Sequence, residues 1–306
     1  MRRLEEMAAE RLGKEAALLA PGGMMANQLA VRVQSQPGHA VISESIAHLY
    51  RYGIVGSVGR TAISIRGERG LITAEQVREQ LDAVNQTPID LITVENTHNY
   101  AGGTILPLEE MKAIAEVAWS RGVSIHLDGA RIFNAAVASG VPAREFGRWT
   151  NSVMFCLTKG LAAPMGSLLV GDAATIERAR AIRYRMGGGM RKAGLAAAAG
   201  IVALETMVDR LAEDHENARA LAEGLSGISG VSIDMDAVQT NIVMVDVSGL
   251  VPDAKAVKTA LEERGVRVSQ TLRHAVRMVA HFGITREDIE RAVEAFREVA
   301  YGLASA

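Results

Sequence analysis

Cysteine is almost missing from this chain. Cys156 is the single one in 306 residues, which excludes an internal disulfide and suits a reducing compartment. Excess charge of either sign is missing too. With 33 basic against 35 acidic side chains the formal net charge is −2, leaving no electrostatic footprint for nucleic acid or an anionic membrane surface. No apolar run is of bilayer length; the longest are strand-sized or alanine-rich and are broken by charge. The opening Met1-Arg-Arg-Leu-Glu-Glu-Met7 turns acidic at once and has no apolar stretch of a secretory leader. Aromatic residues make up 4%, so the core has to be packed from aliphatic side chains and methionine. The expectation is a soluble cytoplasmic protein with no nucleic acid and no membrane among its partners.

At 48% hydrophobic, the chain can bury one large α/β domain and a smaller one. Strand and helix patterns alternate through the first two thirds, as in a mostly parallel sheet covered by helices. Strands are predicted at 40–42, 62–65, 91–95, 124–127, 152–157 and 167–170. Several are continuous apolar runs, expected of strands buried on both faces. Thr73 with Gln76 three residues on reads as a capping box opening a helix to about Asn85. Helical spacing runs from Leu108 to Arg121, with Gly122 as the cap. An alanine-rich helix over 193–208, whose hydrophobic character suits a connector between domains, leads into an amphipathic stretch ending near 225. The pattern restarts with strands at 231–233, 241–247, 267–269 and 275–280 and helices at 254–264 and from Thr285. That is a small α+β domain, two helices on one side of a few strands. The predicted division is 1–210 and 211–306, with no internal repeat.

Three motifs stand between Glu95 and Lys159: Glu95-Asn-Thr-His98, His126-Leu-Asp128-Gly-Ala-Arg131 and Cys156-Leu-Thr-Lys159-Gly160. Each follows a predicted strand, so all should gather at the sheet edge where open α/β sheets bind ligands. A desolvated lysine has a lowered pKa and can form a Schiff base with an aldehyde. A carboxylate paired with a pyridinium nitrogen keeps that ring an electron sink. Lys159 and Asp128 fit those roles, and Gly22-Gly23 at the start of a predicted helix offers N–H groups to a phosphate. Each also has an ordinary reading. A lysine after a strand is usually solvated, Asp128 could cap a helix starting near Ala130, Gly22-Gly23 could be only a turn, and His98 a hydrogen-bonded loop histidine. The coincidence at corresponding strand ends is what favours chemistry.

Around those residues the chain resembles the threonine aldolases, within the threonine aldolase/aromatic amino acid β-eliminating lyase family of fold-type-I pyridoxal-phosphate enzymes. The resemblance is carried by Met25-Ala-Asn-Gln28, Ala47-His48-Leu-Tyr50, Glu95-Asn-Thr-His-Asn99, the stretch Gly103 to Leu108, His126 to Asn134, Cys156-Leu-Thr-Lys-Gly160, Gly187-Gly-Gly-Met-Arg191 and Val276-Arg-Met-Val-Ala-His281. It spans nearly the whole chain. The resemblance implies a large α/β domain with a mostly parallel sheet and a smaller C-terminal α+β domain. It implies pyridoxal 5'-phosphate as cofactor, no metal, and retro-aldol cleavage of L-threonine, L-allo-threonine and related β-hydroxy-α-amino acids to glycine and an aldehyde. It further implies a homodimer or homotetramer, since the family's sites lie between subunits.

By the same resemblance, Lys159 carries the cofactor, Asp128 pairs with its ring nitrogen and Arg131 lies near its phenolic oxygen. His48 stacks on the ring, and Gly22, Gly23 and Met24 form the phosphate loop. Arg191 reaches a neighbouring subunit's phosphate. His98 is linked to the substrate hydroxyl, and Arg277 clamps the substrate carboxylate with a planar fork. The chain departs from the family at four points. Met24 replaces a hydroxyl residue of the phosphate loop, and an upstream Asp-Leu-Arg-Ser-Asp-Thr segment is not in the sequence. Gly53 stands where an acidic residue is common, and Gly283 where aspartate is usual. Two other readings stay open at this point: a β-eliminating lyase or aminotransferase of the same cofactor class, and a catalytically silent homologue.

Overall fold

A computed structural model describes residues 1–83 and 87–304, so Asn85, the expected end of one helix, lies outside the described residues. The chain divides into two compact units. The first comprises Met1–His98 and Ile105–Asp209, the second Asn99–Thr104 and Arg210–Ala306.

The first unit is built on a seven-stranded sheet. Its strands are β1 (Ala16–Ala20), β2 (Ala40–Glu44), β3 (Thr61–Ile65), β4 (Ile89–Glu95), β5 (Ser124–Asp128), β6 (Ser152–Cys156) and β7 (Ser167–Gly171), in the order β1-β7-β6-β5-β4-β2-β3. From β6 across to β3 every neighbouring pair is parallel, and β7 runs antiparallel to both β6 and β1. Strands β2, β6 and β7 are buried at every position, whereas β3, at the edge, buries only its last residue. That contrast is the physical content of the continuous apolar runs: both faces of the inner strands are covered.

Helix signals in the sequence act where they stand. The helix Ala74–Asp82 opens with both halves of the Thr73/Gln76 capping box. The helix Leu108–Ser120 is followed by Gly122 with φ +69, a left-handed turn that glycine adopts at low cost. The helix Gly23–Gln34 packs through Ala26, Leu29 and Ala30 on Leu18, Met154 and Leu169 of β1, β6 and β7, together with Ile176 and Ala179 of the helix Ala173–Arg185.

The second unit carries a three-stranded antiparallel sheet, β8 (Ile242–Asp246), β9 (Ser269–Leu272) and β10 (Ala275–Val279), in the order β8-β10-β9. The expected strand at 231–233 reduces to a single bridge, Ser232 to Asp246. The amphipathic stretch ending near 225 is the helix Leu211–Ser226 and belongs to this unit's core. Its Leu221 and Leu225 join Val243, Val245 and Phe296 there. Three helices, Leu211–Ser226, Lys255–Glu262 and Arg286–Ala304, therefore accompany this sheet rather than two.

Candidate active site

Parallel strands place their last residues on one edge, and here that edge is polar and acidic. Strand β2 ends in Glu44, β4 in Glu95 and β5 in Asp128, and Glu95 and Asp128 are register partners. All three carboxylates are buried, at 3%, 6% and 2% exposure, so each requires partners.

Asp128 has them on both oxygens. Oδ1 accepts from the Ala130 N–H at 3.2 Å and Oδ2 from the Asn27 side-chain amide at 2.8 Å. His48 Nδ1 lies 3.6 Å from the same Oδ2, too far for a direct hydrogen bond. The capping role considered for Asp128 does not hold, because the following helix begins at Ile132 with Arg131 as its N-cap. His48 is anchored through its backbone, whose N–H donates to Glu95 Oε2 at 2.6 Å. Its ring lies 4.6 Å, centroid to centroid, from that of Tyr52.

His98 is fully buried, with Nε2 3.1 Å from Glu44 Oε2 and Nδ1 without a hydrogen bond. Burial pushes its pKa down, but Glu95, the hydrogen bond and charge of Glu44, and Asp128 together outweigh burial, and the net shift is upward. Glu44 also accepts from Ser45 Oγ and the N–H groups of Ile46 and Gly67. Burial raises its pKa, yet His98 and these donors reverse the sign, so the net shift is downward. Gly70, with φ +75, lies flat against the histidine, and a Cβ there would stand 2.6 Å from His98 Cγ.

Behind Asp128 runs a fully buried imidazole, His126. Its Nδ1 meets Ser152 Oγ at 2.8 Å and its Nε2 meets Asn27 Oδ1 at 3.0 Å. Burial pushes its pKa down to about 4, so it is neutral at ordinary pH.

The other expected residues are placed as follows. The helix Gly23–Gln34 has Gly22 as N-cap and no side-chain cap, leaving its first N–H groups for an anion. A Cβ on Gly23 would meet Met154 Cε at 2.8 Å and Cys156 Sγ at 3.2 Å, so this helix start is pressed against the end of β6. Lys159 follows β6 by three residues and is half-buried, in a loop closed by Ala162 N–H to Lys159 O and Leu157 N–H to Gly166 O. The turn after β5 joins that strand end through Cys156 N–H to Ala130 O at 3.4 Å. Arg131 is half-buried at that turn. Met24 is 43% exposed. Arg191 is exposed in the loop between the helices Ala173–Arg185 and Gly194–Thr206, a loop whose Gly188 packs against Met25. Arg277 lies on β10 of the second unit, where its Nη1 donates to Asn99 Oδ1 at 2.7 Å and its Nε is buried without a hydrogen bond.

These residues fit pyridoxal 5'-phosphate. An uncapped helix start whose Gly23 lies close against β6 suits its phosphate, a buried carboxylate held on both oxygens suits its ring nitrogen, and a lysine in the loop after the adjoining strand suits its aldehyde. Sequence reasoning assigned no role to Asn27, Glu44, Glu95 or His126. The available signal was a polar residue closing an apolar strand, at Glu44 and Glu95, and a lone asparagine inside an apolar helix face.

Comparison with known proteins places the chain among related sequences and folds. The model of the β-eliminating lyases matches residues 1–248. Low-specificity L-threonine aldolase 1 of Arabidopsis thaliana is 36% identical over 307 residues, covering 97% of this chain and 86% of that one. The low specificity L-threonine aldolase of Escherichia coli K12 is 36% identical over 301 residues, covering 96% and 87%. The solved threonine aldolase of Leishmania major superposes with a TM-score of 0.80 at 18% identity, covering 97% and 89%. The fold is that of the fold-type-I pyridoxal-phosphate enzymes.

Proposed function

The chain belongs to the β-eliminating lyase family, alongside the low-specificity L-threonine aldolases, and on that footing we propose that it is a pyridoxal 5'-phosphate-dependent aldehyde-lyase. Its substrates are L-threonine, L-allo-threonine and related β-hydroxy-α-amino acids, cleaved to glycine and an aldehyde. The observation that carries this reading is the shared strand edge, on which the carboxylate of Asp128, the uncapped helix start at Gly22–Gly23 and the loop of Lys159 are neighbours.

When bound, the cofactor supplies an electron sink for the pair released by the broken Cα–Cβ bond. Lys159 holds its aldehyde carbon, Asp128 faces its ring nitrogen and Arg131 its phenolic oxygen. The N–H groups of Gly22, Gly23 and Met24 take its phosphate, since backbone donors do not depend on the side chain at position 24. Arg277 takes the substrate carboxylate with a planar fork. His48 stacks on the ring, and His48 and His98 are the imidazoles that handle the β-hydroxyl proton as the aldehyde forms.

Assembly as a homodimer or homotetramer is part of the proposal. Leu195 and Val202 are 85% and 56% exposed on the helix Gly194–Thr206. Apolar side chains so exposed are covered when copies of a chain associate symmetrically. Arg191, three residues before that helix, would then reach a neighbour's phosphate. A cytoplasmic location accords with the free, buried Cys156. Among the described residues no helix is long and apolar enough to cross a membrane.

The test is an incubation of purified protein with pyridoxal 5'-phosphate and L-threonine. Equimolar acetaldehyde and glycine are expected. Ammonia without aldehyde would replace this reading with β-elimination, and turnover only with an added keto acid would replace it with transamination.

A further inference from the structure

Four buried or half-buried side chains form a row that ends on Asp128. Gln34 Nε2 lies 2.6 Å from Ser152 Oγ, Ser152 Oγ 2.8 Å from His126 Nδ1, His126 Nε2 3.0 Å from Asn27 Oδ1, and Asn27 Nδ2 2.8 Å from Asp128 Oδ2. The members come from three places: Gln34 and Asn27 from the helix Gly23–Gln34, His126 from β5 and Ser152 from β6.

One end fixes the direction of every bond. An ionised carboxylate can only accept, so the Asn27 amide nitrogen must face Asp128 and its carbonyl must face His126. That carbonyl also only accepts, so His126 carries its proton on Nε2 and leaves Nδ1 bare. Ser152 must then donate to Nδ1, and its own oxygen is free to accept from Gln34. Gln34 ends the row: the second proton of its amide nitrogen goes to Ala30 O at 3.1 Å, while its Oε1 is buried without a hydrogen bond. The depressed pKa of His126 agrees, because a neutral ring is the only form that can be donor at one nitrogen and acceptor at the other.

We propose that Gln34, Ser152, His126 and Asn27 form a one-way donor row that sets the rotamer of Asp128 and presents its carboxylate to the ring nitrogen of the cofactor, with Asn27 and His126 as positioning residues. The proposal rests on the role given to Asp128 above. The geometry favours it over plain core packing. His126 and Asn27 are 0% exposed polar groups in an otherwise apolar layer, and every polar atom between Ser152 and Asp128 is used once. Over that part, from Ser152 to Asp128, each link is paired, and a buried polar row so paired specifies one arrangement of its members.

The experiment titrates pyridoxal 5'-phosphate into cofactor-stripped full-length protein and follows the visible band, for wild type, Asn27→Leu, His126→Leu, His126→Gln and Ser152→Ala. Losing a hydrogen bond to a charged group costs enough to weaken cofactor binding about tenfold or more in Asn27→Leu and His126→Leu. His126→Gln, whose amide can still donate to Asn27, is expected to recover most of the affinity. A side chain that only fills space would show no such recovery. Ser152→Ala, a small change that should not prevent folding, is expected to shift affinity in the same direction by a lesser factor. A yellow wild type together with unchanged affinity and spectrum in Ser152→Ala and in whichever of the Asn27 and His126 variants fold overturns the proposal. A wild type with no visible band at saturating cofactor overturns the role of Asp128 itself, and the donor row with it.

Discussion

His98 and Glu44 form a buried ion pair, Nε2 to Oε2 at 3.1 Å, with the two side chains 0% and 4% exposed. Glu44 closes β2 and His98 follows β4, so the pair ties two neighbouring strand ends. The histidine's other nitrogen is left without a hydrogen bond. A buried imidazole held at one nitrogen and bare at the other is the arrangement a proton-transfer group needs.

The pair gives stability a defined pH dependence. The pKa of His98 is raised, so its contribution is full below its unfolded value of 6.5 and is lost as pH rises through the folded value. The pKa of Glu44 is lowered, so its contribution is full above 4.5 and is lost as pH falls through its folded value. The pair therefore contributes most between 4.5 and 6.5. Glu44→Ala removes the carboxylate hydrogen-bonded to His98, leaving only the charges of Glu95 and Asp128 to support it, and should cost about 3 kcal/mol in that window. Urea denaturation at pH 6 and pH 9 checks this, with the smaller loss expected at pH 9.

Gly70 admits no side chain. A Cβ there would stand 2.6 Å from His98 Cγ and 2.7 Å from Nδ1, and φ is +75. Gly70→Ala should cost about 1–3 kcal/mol of stability. It should also lower the rate of aldehyde release beyond what the stability loss explains, because His98 has to move. Denaturation curves and initial rates on the same preparation separate the two effects.

How far the sequence disclosed this arrangement depends on the range of each interaction. The positions of Asp128 and Lys159 at strand ends were legible because their motifs follow continuous apolar runs of strand length, and neighbouring parallel strands then bring those ends to one edge. The strand Ala16–Ala20 was not legible: Ala-Ala-Leu-Leu-Ala has no β-branched residue, and only its pairing with β7 makes it a strand. The converse failure is Val231 to Ile233, β-branched at both ends yet limited to one bridge. Asn27 and His126 meet across 99 residues, and no local pattern encodes a contact of that kind. The inclusion of Asn99–Thr104 in the second unit is equally non-local. The segment is bonded there by Arg277 to Asn99 and by Thr240 to Gly103 O.

Arg277 is expected to act on substrate binding. Its Nη1 is held by Asn99 Oδ1 at 2.7 Å, while Nε remains buried without a hydrogen bond. Arg277→Lys removes the planar fork and should raise KM for L-threonine by about tenfold or more, the worth of one charge-assisted hydrogen bond, with a smaller change in kcat. Asn99→Ala, which keeps the guanidinium and removes its Oδ1 acceptor, should raise KM less. Steady-state kinetics across the two variants decide the order.

The central claim is that Lys159 holds the cofactor at an edge where Asp128 faces its ring. The most direct measurement is to load the protein with pyridoxal 5'-phosphate, reduce it with borohydride, digest it and map the modified lysine by mass spectrometry. The account predicts a single cofactor adduct on the peptide containing Lys159 and none in Lys159→Ala. An adduct on another lysine, or a yellow Lys159→Ala protein that traps the cofactor as well as wild type, would contradict it.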